Sequence, residues 1–172
     1  MLKTIEKWLE RCETVLLYVA VVATFAMMCV TTADAAGRYL LNRPITGAYE
    51  VTEKYLMVAM VFMGVCYAYR GGAYIRVTFL LDHLPRAIKI FFDYLAQIFS
   101  IVYGIVLVVA TAQQYLRVSS DRMTLSAVDI PVAPAYLIVP VGLFFLSVLM
   151  VLDLPRVRRG ESLLFKDDAP AL

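Results

Sequence analysis

Residues 50–85 read EVTEKYLMVAMVFMGVCYAYRGGAYIRVTFLLDHLP, and this stretch decides the fold. It opens on Glu50, Glu53 and Lys54, runs from Tyr55 to Tyr69 without a charge, and stops at Arg70-Gly71-Gly72. A helix needs about 20 residues to cross the hydrocarbon core of a bilayer, and the segment from Glu50 to Tyr69 matches that length. The glycines end it, because glycine readily takes the left-handed conformation of a helix C-terminus. A helix charged at one end, apolar through its body and basic at the other has the layout of a membrane span. The continuation, Ala73 to Lys89, is too short and too charged to cross. Its apolar Tyr74, Ile75, Val77, Phe79, Leu80, Leu81 and Leu84 interleave with Arg76, Asp82, His83 and Arg86, which predicts a short helix lying on the membrane surface.

The composition points the same way. The 172 residues have room for one domain, taken as 1–172. They are 62% hydrophobic and 17% charged, with a mean hydropathy of +0.76. Soluble domains run at roughly half apolar and a quarter charged. The excess, gathered in long blocks, makes this an all-α integral membrane protein. A net charge of +2 gives no reason to expect nucleic acid. Cys12, Cys29 and Cys66 form no CxxC pair and read as small packing residues. The one histidine, His83, has no carboxylate or histidine partner at metal-ligand spacing. There is no glycine-rich phosphate loop, so no cofactor and no enzyme activity is expected. The mixed-charge start and the long apolar run after it do not fit a cleavable signal peptide.

Four spans are predicted, over about 14–37, 47–70, 87–117 and 130–152. Before the first, Leu2, Ile5, Trp8, Leu9 and Cys12 recur at helical spacing among Lys3, Glu6, Lys7, Glu10, Arg11 and Glu13. This predicts an amphipathic lead-in with Trp8 at headgroup level. Asp34 and Arg38 stand one turn apart and can pair at the water boundary. In the fourth span Pro131 and Pro134 suit a first helical turn, whereas Pro140 should kink the helix. Four spans put both termini on one side, with the second loop. Eleven of the 16 basic residues fall there, Arg70, Arg76 and Arg86 among them. The excess of Lys and Arg on cytoplasmic loops then places both termini in the cytoplasm of a bacterial inner membrane.

At 100° per residue, Glu50, Glu53, Met57, Met60, Gly64 and Ala68 project to one side of the second span. Gly64 and Ala68 form a small-xxx-small pair that lets another helix approach closely. Glu50 and Glu53 on such a face can be a proton or cation site. Alternatively, Glu50 pairs with Lys54 and Glu53 faces a basic residue of a partner. Glu50 sits at interfacial depth, where ionisation is cheap, and this favours packing. The residues expected at the midplane are apolar and the two halves do not repeat, which argues against a complete permease. A stand-alone four-span proton-coupled transporter using Glu50 and Glu53 is the alternative.

The order and spacing of several short pieces resemble the small, DctQ-like membrane subunit of tripartite ATP-independent periplasmic (TRAP) transporters. These pieces are Gly37-Arg38, Pro44, Glu50, Gly64 and Tyr69-Arg70-Gly71-Gly72, followed by Ile75-Arg76-Val77 and Leu84-Pro85. Asp129-Ile130-Pro131 to Tyr136 and Pro140-Val141-Gly142 complete the set. Where the family often has His before the Ile-x-Val run and Asp after it, this chain has Tyr74 and Thr78. The resemblance implies a small scaffold subunit bound to a larger elevator-type membrane subunit, which holds the substrate and sodium sites. A periplasmic binding protein delivers an organic acid, and phospholipid surrounds the assembly. Arg43, Asp121 and Arg122, on outer loops, are the candidate docking residues. Glu50, Glu53, Gly64 and Ala68 are candidates for packing, within the subunit or against its partner. Trp8, Arg70, Arg76 and Arg86 are candidates for anchoring and topology.

Overall fold

The computed structural model describes residues 2–71 and 86–157. The expected surface helix, with Arg76, falls mostly outside the described residues, as does the chain after Val157. Within them lie four long helices: α1 (Leu2–Leu41), α2 (Ala48–Arg70), α3 (Arg86–Ser120) and α4 (Ala133–Val157). All four are long and apolar enough to cross a membrane. Hydrocarbon offers no partner for a peptide group, so each crossing segment must close its own hydrogen bonds.

No glycine or proline stands between Leu2 and Ala36, so the lead-in and the first span form one rod. At 1.5 Å per residue its 40 residues reach about 60 Å, roughly twice the hydrocarbon thickness. The lead-in does not lie apart from the other helices: Leu9 belongs to the core, and Glu13 is buried. At the far end Asn42 turns into the left-handed region (φ 54°), and the Arg43 N–H returns to the Gly37 carbonyl at 3.1 Å. The expected Asp34–Arg38 pair forms at 2.7 Å. Asp34 also accepts the Ile45 N–H at 2.9 Å, and so fixes the 42–47 turn that leads into α2.

Pro134 is in the first turn of α4, but Pro131 stands before the helix, bridged to Thr124. The helix continues through Pro140 and on past 152 to Val157. Pro155 falls in the last turn, where the bond it removes is followed by little further helix.

The helices are not stacked in chain order. α1 packs on α2, α2 on α4, and α4 on α3, giving a row α1–α2–α4–α3. The central α4 is the most enclosed, and the edge helices α1 and α3 turn most of their apolar surface outward. The core runs along the row: Leu9, Leu16 and Ala20 of α1, Met63, Cys66 and Tyr69 of α2, and Leu143, Leu146, Leu149 and Met150 of α4. A second cluster of Val118, Leu125 and Val132 closes the end carrying the 42–47 and 121–132 loops, here called the hairpin end. The opposite, tail end carries the start of α1 and the end of α4.

α2 and α4 approach closely at Gly142. A Cβ there would overlap the Phe62 carbonyl oxygen and stand 2.8 Å from its carbon. The Cys66 thiol reaches the Gly142 carbonyl at 3.7 Å, so α2 and α4 meet backbone to backbone at this level.

Candidate functional site

The polar chemistry of the described chain is concentrated at the two ends of the row. At the tail end, Arg70 closes α2 and reaches back to α1. Its Nε lies 2.6 Å from Glu13 Oε2, its Nη2 donates to Glu13 Oε1 at 2.9 Å, and its Nη1 donates to Glu10 at 3.0 Å. Glu13 is only 3% exposed, so its charge is held by this two-point pair. Arg70, expected as a topology determinant, is thus also the tie between α1 and α2.

Beside it, three wholly buried side chains join the other helices. Gln97 of α3 donates through Nε2 to the Tyr69 hydroxyl (3.2 Å) and to the Met150 carbonyl (2.9 Å). Tyr69 of α2 donates in turn to Asp153 Oδ2 of α4 at 3.2 Å. Buried polar groups left without partners are costly, so this set fixes the register of α2, α3 and α4 at one level. Replacing Gln97 with leucine is expected to cost about 1–3 kcal/mol, the loss of a donor serving two buried oxygens. A urea or thermal titration in detergent measures it, and Ile98→Leu, on the exposed side of the same helix, should leave the midpoint unchanged.

At the hairpin end, the segment from 121 to 132 folds back onto the start of α2. Leu125 N–H pairs with the Ile130 carbonyl and Val132 N–H with that of Met123, at 3.0 and 2.9 Å. Glu50 does not pair with Lys54; its Oε2 accepts the Ala127 N–H at 3.1 Å. The Tyr55 hydroxyl donates to the Pro131 carbonyl. Gly47, with φ +82°, lets the chain enter α2 under Val128, where a Cβ would collide with the valine side chain.

The remaining candidates take separate places. Glu53 is exposed beside Lys54, at a recess of about 240 Å³ shared with Tyr136 and Val139. Gly64 faces Ala20 of α1, leaving room for a Cβ at 3.7 Å, and Ala68 is half-buried. Residues 52–56 form a π turn, so the 100° projection that put Glu50 and Ala68 on one face is interrupted between them. Arg43, Asp121 and Arg122 are exposed on the two hairpin-end loops. Trp8 is exposed and Arg86 opens α3. Among the described residues no three His, Cys, Asp or Glu side chains gather as a metal site.

Two further recesses lie on the described surface. One, of about 360 Å³, lies at the hairpin end against Asp34, Arg38, Tyr39 and Tyr49. The other, about 410 Å³ and almost wholly apolar, runs between α3 and α4 beside Ile105, Val109, Phe144 and Val151.

An open row of four apolar helices, tied at both ends, is the shape of a component and not of a closed channel. Residues 27–160 match the family described as Tripartite ATP-independent periplasmic transporters, DctQ component. The chain belongs to the DctQ family. This DctQ protein is also 28% identical, over 149 residues, to the ectoine TRAP transporter small permease protein TeaB of Halomonas elongata; the match covers 83% of this chain and 72% of the relative. The DctQ protein is therefore a multi-pass inner-membrane component of a TRAP transporter. The joining role of Gln97 and Asp153 and the tight crossing at Gly142 are not among the expectations drawn from the sequence. The signals were present: a glutamine and an aspartate within or beside apolar helices, and a glycine two residues after a mid-helix proline.

Proposed function

We propose that this chain is the fixed scaffold of a sodium-driven, binding-protein-dependent TRAP system that takes up an organic acid. The larger partner subunit holds the substrate and sodium sites and moves as an elevator. This chain extends the stationary part of the assembly, with both termini in the cytoplasm and the hairpin end facing the periplasm. The observation that carries the scaffold reading is where the buried polar groups go. Glu13, Arg70, Tyr69, Gln97 and Asp153 join one helix of this chain to another at a single level, and the core that continues from them along the described row is built of apolar side chains. Such ties hold a row rigid and offer no path for a solute. Positive residues clustered at the tail end support the orientation. Arg43, Asp121 and Arg122, exposed on neighbouring loops, are proposed to dock the periplasmic binding protein, and the apolar groove between α3 and α4 to hold a phospholipid chain.

The test is reconstitution. This chain alone in liposomes is expected to transport nothing, and with its large subunit and binding protein to support uptake that needs a sodium gradient. In that complete system, Glu50→Gln combined with Glu53→Gln should leave the sodium dependence intact. Uptake by the isolated chain, abolished by the same pair of substitutions, would overturn the scaffold reading.

A further inference from the structure

The start of α2 holds a feature that the scaffold role does not explain by itself. Between Thr52 and Leu56 the helix widens into a π turn, with the Met57 N–H bonded to the Thr52 carbonyl five residues back. Such turns are rare and correspond to one extra residue in an α-helix.

Its consequence is seen at Glu50 and Tyr55. At 3.6 residues per turn, side chains five apart point about 140° away from each other. A π turn closes on the fifth residue and brings them roughly into line. Both contact the same short stretch of the hairpin: Glu50 takes the Ala127 N–H and Tyr55 donates to the Pro131 carbonyl. A regular α-helix could present one of these groups to the hairpin, but not both.

The widening begins only at the Thr52 carbonyl, because the Thr52 N–H still makes the regular α-helical bond to the Ala48 carbonyl. The Thr52 hydroxyl is buried and makes no hydrogen bond.

We infer that the π turn is a register device that seats the 121–132 hairpin, and with it the surface formed by Asp121 and Arg122. Collapse to α geometry would rotate Glu50 away from Tyr55 and release the hairpin from the bundle. The inference rests on the docking role proposed above, because it makes the shape of that docking surface depend on the π turn.

Inserting an alanine after Thr52 places Glu50 and Tyr55 six residues apart, about 120° apart in a regular α-helix, whereas deleting Thr52 leaves them four apart and about 40° apart, on one face. In the complex with the large subunit, hydrogen exchange at Ala127 and Val132 is expected to speed at least tenfold in the insertion and to stay slow in the deletion. Exchange in α4 between Gly142 and Met150 should change in neither. Binding of the periplasmic protein to the reconstituted complex should weaken at least fivefold in the insertion and be retained in the deletion. The pair Glu50→Ala and Tyr55→Phe removes the same contacts without altering register, and it decides the matter if the insertion disturbs α4. Unchanged exchange at Ala127 in the insertion, or in that pair if α4 is disturbed, would overturn the seat. Faster exchange with unchanged binding would overturn its link to docking. Failure of the chain to co-purify with a large subunit would instead count against the scaffold reading.

Discussion

Replacing Gly142 with leucine is expected to prevent the folded chain from accumulating, and alanine at the same position to lower its stability. The obstacle is backbone, which cannot swing aside as a flexible side chain can. A Cβ at 142 overlaps the Phe62 carbonyl of α2, so α2 and α4 must separate at the level of that contact. Overpacking a close-fitted contact costs about 1–3 kcal/mol, and leucine adds three further carbons to that demand. The internal control is Gly64→Ala, where the new Cβ meets Ala20 at an ordinary 3.7 Å. That change should be neutral or slightly stabilising, since alanine exceeds glycine in helix propensity by about 1 kcal/mol. Detergent-solubilised yield and thermal midpoint, measured side by side for the three variants, check the contrast. Equal midpoints for Gly142→Ala and Gly64→Ala would remove the basis for the close crossing.

The second large effect is expected from Arg70→Ala. Removing one partner of a buried ion pair strands the other, at about 3–5 kcal/mol when both are fully enclosed. Here Glu13 is 3% exposed but Arg70 is 33% exposed, so solvent screening reduces the loss to about 2 kcal/mol. Glu13→Gln in the same background should recover much of it, because the stranded charge is then gone. Glu10, 55% exposed, should contribute little when changed alone. A double-mutant cycle on thermal or denaturant midpoints separates the Glu13 contribution from that of Glu10. A cycle showing no coupling between Glu13 and Arg70 would mean the pair does not tie α1 to α2.

The four helices were legible in the sequence because span length and apolar content are properties of single segments. The Asp34–Arg38 pair was legible for a related reason: four residues of one helix suffice to define it. What escaped depends on which helix neighbours which. Gly64 and Gly142 look alike as glycines in apolar runs, yet one has room for a methyl group and the other sits against a carbonyl. Only the interposition of α4 between α2 and α3 separates them. Gln97, a lone glutamine near one end of an apolar segment, is a buried hub because Tyr69 and Met150 arrive from two other helices. The face assigned to Glu50, Glu53, Gly64 and Ala68 assumed a uniform 100° step, and the π turn at 52–56 breaks that assumption from the third residue of the run, Thr52. Glu50 also found its partner at Ala127, far along the chain, which local spacing cannot reveal.

The order of the row bears on how the chain is made. α1 and α2 emerge first and can pair at once, but α3 comes next and has no extensive contact with either. The Gln97–Tyr69 hydrogen bond is its main described link to α2. The helix that joins the two halves, α4, is the last of these four to leave the ribosome. Until it inserts, the crossing face of α2 and the inner face of α3 stay open to lipid or to the insertion machinery. Assembly of the described row is thus closed by a single late event, the entry of α4 between two helices already waiting.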